Sequence, residues 1–227
     1  MTLCYEERAS DSPFVDNIWR TRPESDGSNI VLADAGWDMM IVKFGSKPVL
    51  SVWGPTTKAQ DIPYTEGIEC IGVQFKLGAF IPQLPINQLV DTGLRLPDAT
   101  RKSFWLGSMV WQFPDYDNVE TFVDQLVRND ILLQDPVVEA ILQDECGYNG
   151  DLSSRSVQRR FLNATGLPYR SIRQIETAHK AAALLQQGVS ILDTVFEAGY
   201  YDQQHLTKTL KQITGRTPAQ LLLTENT

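Results

Sequence analysis

The chain has 227 residues, of which 42% are hydrophobic and 21% charged, and its net charge is −8 at pH 7. The length fits one large or two modest domains, and the hydrophobic content suffices for a packed core, which excludes a largely disordered protein. No apolar run approaches the roughly 18 residues of a membrane span, and the N-terminus lacks a signal-peptide apolar segment. Three cysteines without metal-binding spacing (Cys4, Cys70, Cys146) indicate free thiols in a reducing compartment.

The charge is unevenly distributed along the chain. Residues 151–227 carry nine Lys and Arg against six Asp and Glu, a net of +3. Residues 1–150 carry eleven against 22, a net of −11. Such asymmetry is typical of a chain whose two parts have different partners, so the acidic total does not exclude nucleic acid as a ligand of the C-terminal part.

The first half of the chain has the pattern of β-strands. Four short apolar or alternating runs each end near Gly or Pro, and they read NIVLADAG, WDMMIVKFG, PVLSVWG and GIECIGVQFKLGAF. All five tryptophans lie in this half, which favours a small barrel or sandwich with an aromatic-lined interior. Trp37, Trp53 and Phe75 are candidates for a ligand pocket on residue type and strand placement, and core packing is the alternative.

The hydrophobic period changes halfway along the chain. NVETFVDQLVRND has apolar residues at helical spacing, which predicts an amphipathic helix over Val119–Val127. This helix could pack on its own domain or on a second copy of it. Pro136 then begins another predicted helix, and only helices follow. We therefore place a β-rich sensor at 1–118, a connecting helix and linker at 119–135, and a helical domain at 136–227.

The C-terminal part contains an internal repeat at an offset of 49 residues. SSRSVQRRFLNATG (Ser153–Gly166) aligns with DQQHLTKTLKQITG (Asp202–Gly215). Each copy begins with a residue that caps helix N-termini and ends in Thr-Gly, where Gly suits a left-handed C-terminal cap. Apolar residues recur at matching steps within about 60° on each helix: Val157, Phe161 and Ala164 in the first copy, and Leu206, Leu210 and Ile213 in the second.

The opposite face of each predicted helix is polar and has no acidic residue. Arg, Gln and Lys are the residue types that contact guanine, adenine and phosphate. The candidate DNA contacts are Arg155, Gln158 and Arg159 in the first helix, and Gln203, Gln204, Thr207, Lys208 and Lys211 in the second. A solvated surface face is the alternative, but such a face more often includes Asp or Glu for i,i+4 pairing.

A short predicted helix, SILDTVFEAG, precedes the second copy, with Gly199 at the turn. A short helix, a Gly-containing turn and a helix with an exposed polar face are the pattern of a helix-turn-helix unit. Between the two copies, YRSIRQIETAHKAAALLQQG predicts a helix roughly 26 Å long. A helix of this length can hold two recognition helices about 34 Å, one DNA turn, apart.

With these features the C-terminal part resembles the double helix-turn-helix domain of AraC/XylS-type transcriptional regulators. The most specific match is Ala198-Gly199-Tyr200, followed by Asp202-Gln203, His205-Leu206 and Gly215-Arg216-Thr217-Pro218, and the resemblance covers about residues 136–222. The first half is more weakly similar to the cupin-like sensor domains of such regulators, with CIGVQFKLGAF as its best match.

The resemblance implies an α+β protein, namely a cytoplasmic bacterial transcription factor with a cupin-like sensor and an all-α DNA-binding domain. Its partners would be the major groove of double-stranded DNA, a small-molecule effector, a second copy in a homodimer and, for an activator, RNA polymerase, with no membrane and no cofactor. Carried over residue by residue, Ser154, Arg155, Gln158 and Arg159 match base-facing positions of the first helix, and Gln203, Gln204, Thr207 and Lys208 match those of the second.

The sequence departs from the family ahead of the first recognition helix, where two helices are usual. Here only DPVVEAILQDECGYNGDL is available, and Gly147, Asn149 and Gly150 are poor helix formers. We predict a truncated first unit, in which one helix from about Pro136 to Cys146 braces Val157 and Phe161 of the recognition helix. The second unit is then expected to contribute more of the DNA-binding energy.

An enzyme is the main alternative class. The first half has no histidine, which excludes the histidine-ligated metal usual in cupin enzymes, and no P-loop, HExxH or GxSxG motif is present. A metal-free cupin-like enzyme, or a ligand-binding or protein-interaction module with weak DNA affinity, stays open. Of the two histidines, His179 is expected to be a packed or hydrogen-bonded helix residue, and His205 to have a structural role or contact phosphate.

Overall fold

The computed structural model describes residues 3–45, 47–143 and 152–223. Its N-terminal region is rich in strands and its C-terminal region is helical, which confirms the predicted α+β class. The strands are β1 (Leu3–Ala9), β2 (Val15–Pro23), β3 (Gly27–Val31), β4 (Trp37–Phe44), β5 (Lys47–Trp53), β6 (Gln60–Tyr64), β7 (Glu69–Phe75), β8 (Ala79–Phe80), β9 (Gly93–Arg95), β10 (Ser103–Leu106), β11 (Met109–Gln112) and β12 (Leu133–Gln134). The helices are α1 (Val119–Arg128), α2 (Pro136–Gln143), α3 (Ser154–Thr165), α4 (Tyr169–Gln186), α5 (Ile191–Glu197), α6 (Gln203–Thr214) and α7 (Pro218–Leu222).

The main sheet of the described residues has six strands in the order β1-β2-β7-β4-β5-β9. Side chains alternate between its faces, because successive residues of a strand point to opposite sides. Buried apolar residues are aligned across the sheet: Ile18 pairs with Val73, Val73 with Met39, and Met39 with Val52. This face of the sheet forms one side of the hydrophobic core.

Helix α1 closes the same core from the other side. Val119, Val123 and Leu126 are fully buried in it. The ring of Phe122 meets the rings of Phe104 and Trp111 edge to face, with centroids 5.9 and 5.8 Å apart. The apolar face of α1 therefore packs on its own unit, and the expected alternative, pairing with a second copy through that face, does not apply.

The chain divides into two compact units that do not follow the domain limits expected from the sequence. One unit comprises residues 1–27, 36–55 and 63–168, and the other comprises residues 28–35, 56–62 and 169–227. The division differs because α3 packs against α2 and β8 in the first unit, whereas two segments of the N-terminal half contact the helices of the second. Which residues form each functional domain stays a prediction.

The second unit is built around α4, which packs against α5, α6 and α7. The face of α4 that carries Ile172, Ile175, Ala178 and Leu185 is buried, as its period predicts. None of the described helices combines the length and the apolar character needed to cross a membrane.

Candidate nucleic-acid interface

Helix α6 has a capping residue at each end. At its start, Oδ1 of Asp202 accepts a hydrogen bond from the backbone N–H of His205 at 2.7 Å. At its end Gly215 has a φ of +71°, and its N–H donates to the carbonyl of Lys211. A short turn with Gly199 at a φ of +76° separates it from α5, which completes a helix-turn-helix unit.

Helix α3 has the same construction. Ser153 caps its start by accepting from the N–H of Ser156 at 3.2 Å, and Gly166 ends it with a φ of +79°. Both helices have twelve residues, and both their first and last residues differ by 49 in number. The internal repeat predicted from the sequence is therefore confirmed in the structure.

The Thr-Gly pair that ends each helix has a structural explanation. Oγ1 of Thr165 lies 2.8 Å from the carbonyl oxygens of both Phe161 and Leu167. Oγ1 of Thr214 lies 2.8 Å from the carbonyl oxygen of Leu210 and 3.4 Å from that of Arg216. Each threonine hydroxyl thus lies between a carbonyl of the last helical turn and a carbonyl just beyond the glycine, and can donate its one hydrogen to either.

The candidate DNA contacts lie on the outer faces of the two helices. All of them are exposed except Thr207, which is half-buried and whose hydroxyl donates to the carbonyl of Gln203 at 2.8 Å. Thr207 therefore offers mainly its methyl group. No carboxylate within the described ranges forms an ion pair with Arg155, Arg159, Lys208 or Lys211, so these cations are available to an anionic ligand.

Helix α2 packs against α3. Oδ1 of Asp135 accepts from the N–H groups of Val137 and Val138 at 2.9 and 3.4 Å, which caps the start of α2. Oδ2 of the same carboxylate lies 3.1 Å from Nε of Arg160 on α3. Phe161, on the inner face of α3, is buried. The predicted truncation depends on Gly147, Asn149 and Gly150, which lie outside the described residues.

Both histidines have structural contacts. Nε2 of His179 lies 2.8 Å from the carbonyl oxygen of Ala33, which confirms the expected hydrogen-bonded role. The ring of His205 meets the ring of Tyr200 edge to face, with centroids 5.2 Å apart. A role of His205 in contacting phosphate stays a prediction.

Two of the three candidate effector-binding residues pack on each other in the core, and the third lies apart from them. The rings of Trp37 and Phe75 stack with centroids 4.1 Å apart, and Nε1 of Trp37 donates to the carbonyl of Ala79 at 2.7 Å. Trp37 is 2% exposed and Phe75 1%, so both are core residues. Trp53 pairs with Asp38, the neighbour of Trp37 in β4, and therefore lies on the opposite face of the sheet, where it is 39% exposed.

The described residues include Asp, Glu, His and Cys side chains, the types that can bind a metal ion or act as nucleophiles. No three His, Cys, Asp or Glu side chains among them come together as the ligands of a metal ion would. Burial raises the pKa of the Cys70 thiol, which disfavours the reactive thiolate.

One set of contacts to α6 was missed by the sequence analysis. Nε2 of Gln212 donates to the carbonyl of Thr57 at 3.0 Å, and the N–H of Ala59 donates to the carbonyl of Gln212 at 2.8 Å. No spacing pattern predicts contacts between residues so far apart in sequence. The available signal was NIVL in β3, a continuous apolar run without the alternation of a half-buried sheet strand.

Comparison with known proteins matched residues 151–223 to a family model described as a helix-turn-helix domain. No curated protein sequence matches the chain. Among solved structures, ToxT from Vibrio cholerae matches at 10% identity and a TM-score of 0.38, over 98% of this chain and 99% of that one. A ToxT structure bound to (E)-4-(8-methylnaphthalen-1-yl)but-3-enoic acid has a TM-score of 0.40 with the same identity and coverage. ToxT bound to an unsaturated fatty acid has a TM-score of 0.36 at 10% identity, over 96% and 95% of the two chains.

The TM-scores and identities are low, so the assignment depends on the family match and on the geometry of the helices. The matched residues begin just before α3 and end after α7, and they include both copies of the repeat. The resemblance to AraC-type regulators noted in the sequence is thereby supported for this part of the chain: residues 151–223 match a helix-turn-helix domain.

Proposed function

We propose that the protein is a sequence-specific transcriptional regulator that reads the major groove through the outer faces of α3 and α6. One observation carries this proposal. Two helices of the same length, each with a side-chain cap at its start and a glycine at its end, present exposed cationic and Gln side chains, and neither contains Asp or Glu. The cations are Arg in α3 and Lys in α6. A repeated cationic face without carboxylates suits the phosphate backbone of DNA, which dominates the affinity of such interfaces.

The side chains on these faces divide into two chemical groups. Arg155 and Arg159 can donate two hydrogen bonds to guanine, and Gln158, Gln203 and Gln204 can pair with adenine. Lys208 and Lys211 suit phosphate oxygens, as does the hydroxyl of Ser154 at the start of α3. The N-terminal residues of a recognition helix usually contact the bases, and the two glutamines of α6 occupy its first turn.

We further propose that the second helix-turn-helix unit, which contains α6, contributes more of the DNA-binding energy than the first, which contains α3. In the described residues it has a complete helix, turn and helix, formed by α5, the turn at Gly199 and α6. The first unit has α2 and α3, joined by residues that the structure does not describe.

We also propose that a small-molecule effector, or self-association through the N-terminal domain, controls the regulator. Trp37 and Phe75 are core residues, so of the three effector candidates a ligand could reach only Trp53 directly. We retain a homodimer and, for an activator, RNA polymerase as proposed partners, and the cytoplasm as the proposed place of action.

The test is selection of duplexes by the full chain from a pool of random double-stranded DNA. The proposal expects enrichment of a defined sequence, whose affinity falls steeply with salt concentration because counterions are released from the phosphates. A Gln204→Ala/Lys208→Ala variant should lose the enrichment, whereas Gln174→Ala/Lys102→Ala, a matched control at exposed positions, should keep it. A wild-type chain that enriches no sequence and shows flat salt dependence would contradict the proposal and favour an interaction module.

A further inference from the structure

Two segments of the N-terminal half belong to the same compact unit as α6. They are residues 28–35, which link β2 to β4, and residues 56–62, which link β5 to β7. The N–H of Thr56 donates to the carbonyl of Asp34 at 2.8 Å, and the N–H of Asp34 donates to Oγ1 of Thr56 at 2.9 Å. Strand β3 also pairs with β6, so the two segments are joined to each other.

Both segments donate backbone hydrogen bonds to the last turn of α6. The N–H of Ala59 donates to the carbonyl of Gln212, and the N–H of Ala33 to the carbonyl of Ile213, each at 2.8 Å. The last carbonyls of a helix have no intrahelical donor. These two therefore find their partners in the N-terminal half of the chain.

Two side chains reinforce this attachment. Nε2 of Gln212 donates to the carbonyl of Thr57 at 3.0 Å, and Nε2 of His179 on α4 lies 2.8 Å from the carbonyl of Ala33. The segments also pack closely on the helix end. A Cβ atom on Gly215 would lie 3.2 Å from Cγ2 of Ile30 and 3.3 Å from Cβ of Ala59.

We propose that residues 28–35 and 56–62 form a clamp that fixes the direction of α6 for base reading, with His179 and Gln212 as positioning residues. The inference rests on the proposed function. The clamp holds the C-terminal end of α6, while the predicted base contacts, Gln203 to Lys208, lie in its first two turns, so the clamp residues need not touch DNA. Base-edge hydrogen bonds need correct distances and angles, which a helix held at one end can provide without reordering on binding.

The clamp gives the N-terminal half a direct part in DNA recognition. Both segments continue along the chain into strands of the six-stranded sheet. A change in those strands can therefore alter the clamp through the covalent chain.

The experiment compares full-length variants on two probes, the duplex enriched by the wild-type chain and a random-sequence duplex of equal length. His179→Leu and Gln212→Ala should each weaken binding of the enriched duplex about two- to tenfold, the usual effect of one hydrogen bond, and leave the random duplex unchanged. His179→Gln should restore specific binding, because its amide nitrogen can take the place of Nε2. Gln174→Ala, at an exposed position of α4, is the control for Gln212→Ala.

Amide hydrogen exchange without DNA gives an independent measurement. In a His179→Leu/Gln212→Ala double variant the amides of Ala33 and Ala59 should exchange faster, while melting temperature and helix content change little because Gln212 is exposed and His179 only half-buried.

Specific binding that is unchanged or tighter in the double variant overturns the clamp, as does unchanged exchange at Ala33 and Ala59. If the wild-type chain enriches no DNA, the proposed function fails first and the positioning role fails with it. Wild-type enrichment together with unaffected variants overturns the clamp alone.

Discussion

The two recognition helices are nearly identical in local construction, yet different neighbours hold their ends. A Cβ atom on Gly166, at the end of α3, would lie 2.9 Å from Cγ of Pro55 and 3.1 Å from the carbonyl oxygen of Ile86. The equivalent atom on Gly215, at the end of α6, would meet Ile30 and Ala59 at 3.2 and 3.3 Å. The repeat thus encodes each helix and its caps, whereas residues distant in sequence determine how tightly each end is packed.

The largest expected effect is a loss of stability when the glycine at the end of either recognition helix is replaced, and the loss should differ between the two ends. Gly166→Ala should lower the free energy of unfolding by about 3 kcal/mol and Gly215→Ala by about 2 kcal/mol, because both have positive φ but Gly166 is the more tightly packed. Gly199→Ala, with the same sign of φ and no atom within 4 Å, is the control and should cost about 1 kcal/mol. Urea unfolding of the three variants measures the order. Equal losses at all three positions would show that packing at the helix ends contributes nothing.

The next effect compares the caps near the two recognition helices. Asp135→Ala should destabilise the protein by about 2 kcal/mol, because one buried carboxylate caps α2 and binds Arg160. Asp202→Ala removes only the exposed cap of α6 and should cost about 1 kcal/mol. Asp135→Asn keeps the capping oxygen, so its free energy of unfolding is expected to lie between those of the wild type and Asp135→Ala. A larger loss for Asp202→Ala in thermal or urea unfolding would reverse this ranking.

A smaller effect concerns DNA affinity. Lys208→Ala should weaken binding of the enriched duplex by about 1 kcal/mol and reduce the salt slope by about one, as the loss of one phosphate contact does. Arg159→Ala should weaken binding less if the second unit dominates. Titrations at two salt concentrations provide the measurement, with Lys102→Ala and Arg101→Ala as exposed controls in the N-terminal half. A much greater loss for Arg159→Ala would move the main interface to α3.

The smallest effect appears at alkaline pH. Burial raises the pKa of Tyr200 to about 12, and burial together with a hydrogen bond to Glu7 raises that of Tyr5 to about 12. An unfolded tyrosine titrates near pH 10, so the folded chain binds more protons between about pH 10 and 12 and loses stability as pH rises through this range. Tyr200→Phe and Tyr5→Phe should each flatten this decline.

These two tyrosines also differ at neutral pH. The Tyr200 hydroxyl is buried without a hydrogen-bond partner among the described residues, so Tyr200→Phe should leave stability at pH 7 unchanged or slightly higher. Tyr5→Phe loses the 2.8 Å hydrogen bond from the Tyr5 hydroxyl to Glu7 and should slightly lower the stability at pH 7. Melting curves at pH 7 and pH 11 test both statements, and equally steep alkaline declines in wild type and variants would contradict them.

The features predicted correctly from the sequence are those that depend on neighbouring residues. Helical period, cap chemistry and the Thr-Gly ends of α3 and α6 act within a few residues, and each appears where the repeat places it. The exposure of both polar faces follows from the same period. Whether these faces contact DNA, and how far apart the helices lie, stays a prediction.

The features that sequence reasoning could not supply depend on distant partners. Trp37 was a reasonable pocket candidate, but its stacking on Phe75 comes from the pairing of β4 with β7. The NIVL run was predicted to form a strand without a named partner, and the structure pairs β3 with β6 in the unit that contains α6. Periodicity identifies a strand or a helix without naming the element it will contact.

The hydrogen bond from Ala33 to Ile213 joins residues 180 positions apart, and this separation has a consequence for synthesis on the ribosome. At the usual rate of about 5 to 20 residues per second, residues 28–35 emerge roughly ten to forty seconds before their partner in α6 exists. During that interval the backbone N–H groups of Ala33 and Ala59, close in sequence or by strand pairing to the exposed apolar residues Ile30, Val31 and Leu32, have no helix carbonyl to accept their hydrogen bonds. Transient aggregation or chaperone binding of nascent chains should therefore concentrate at this segment and end once the last helices have been made.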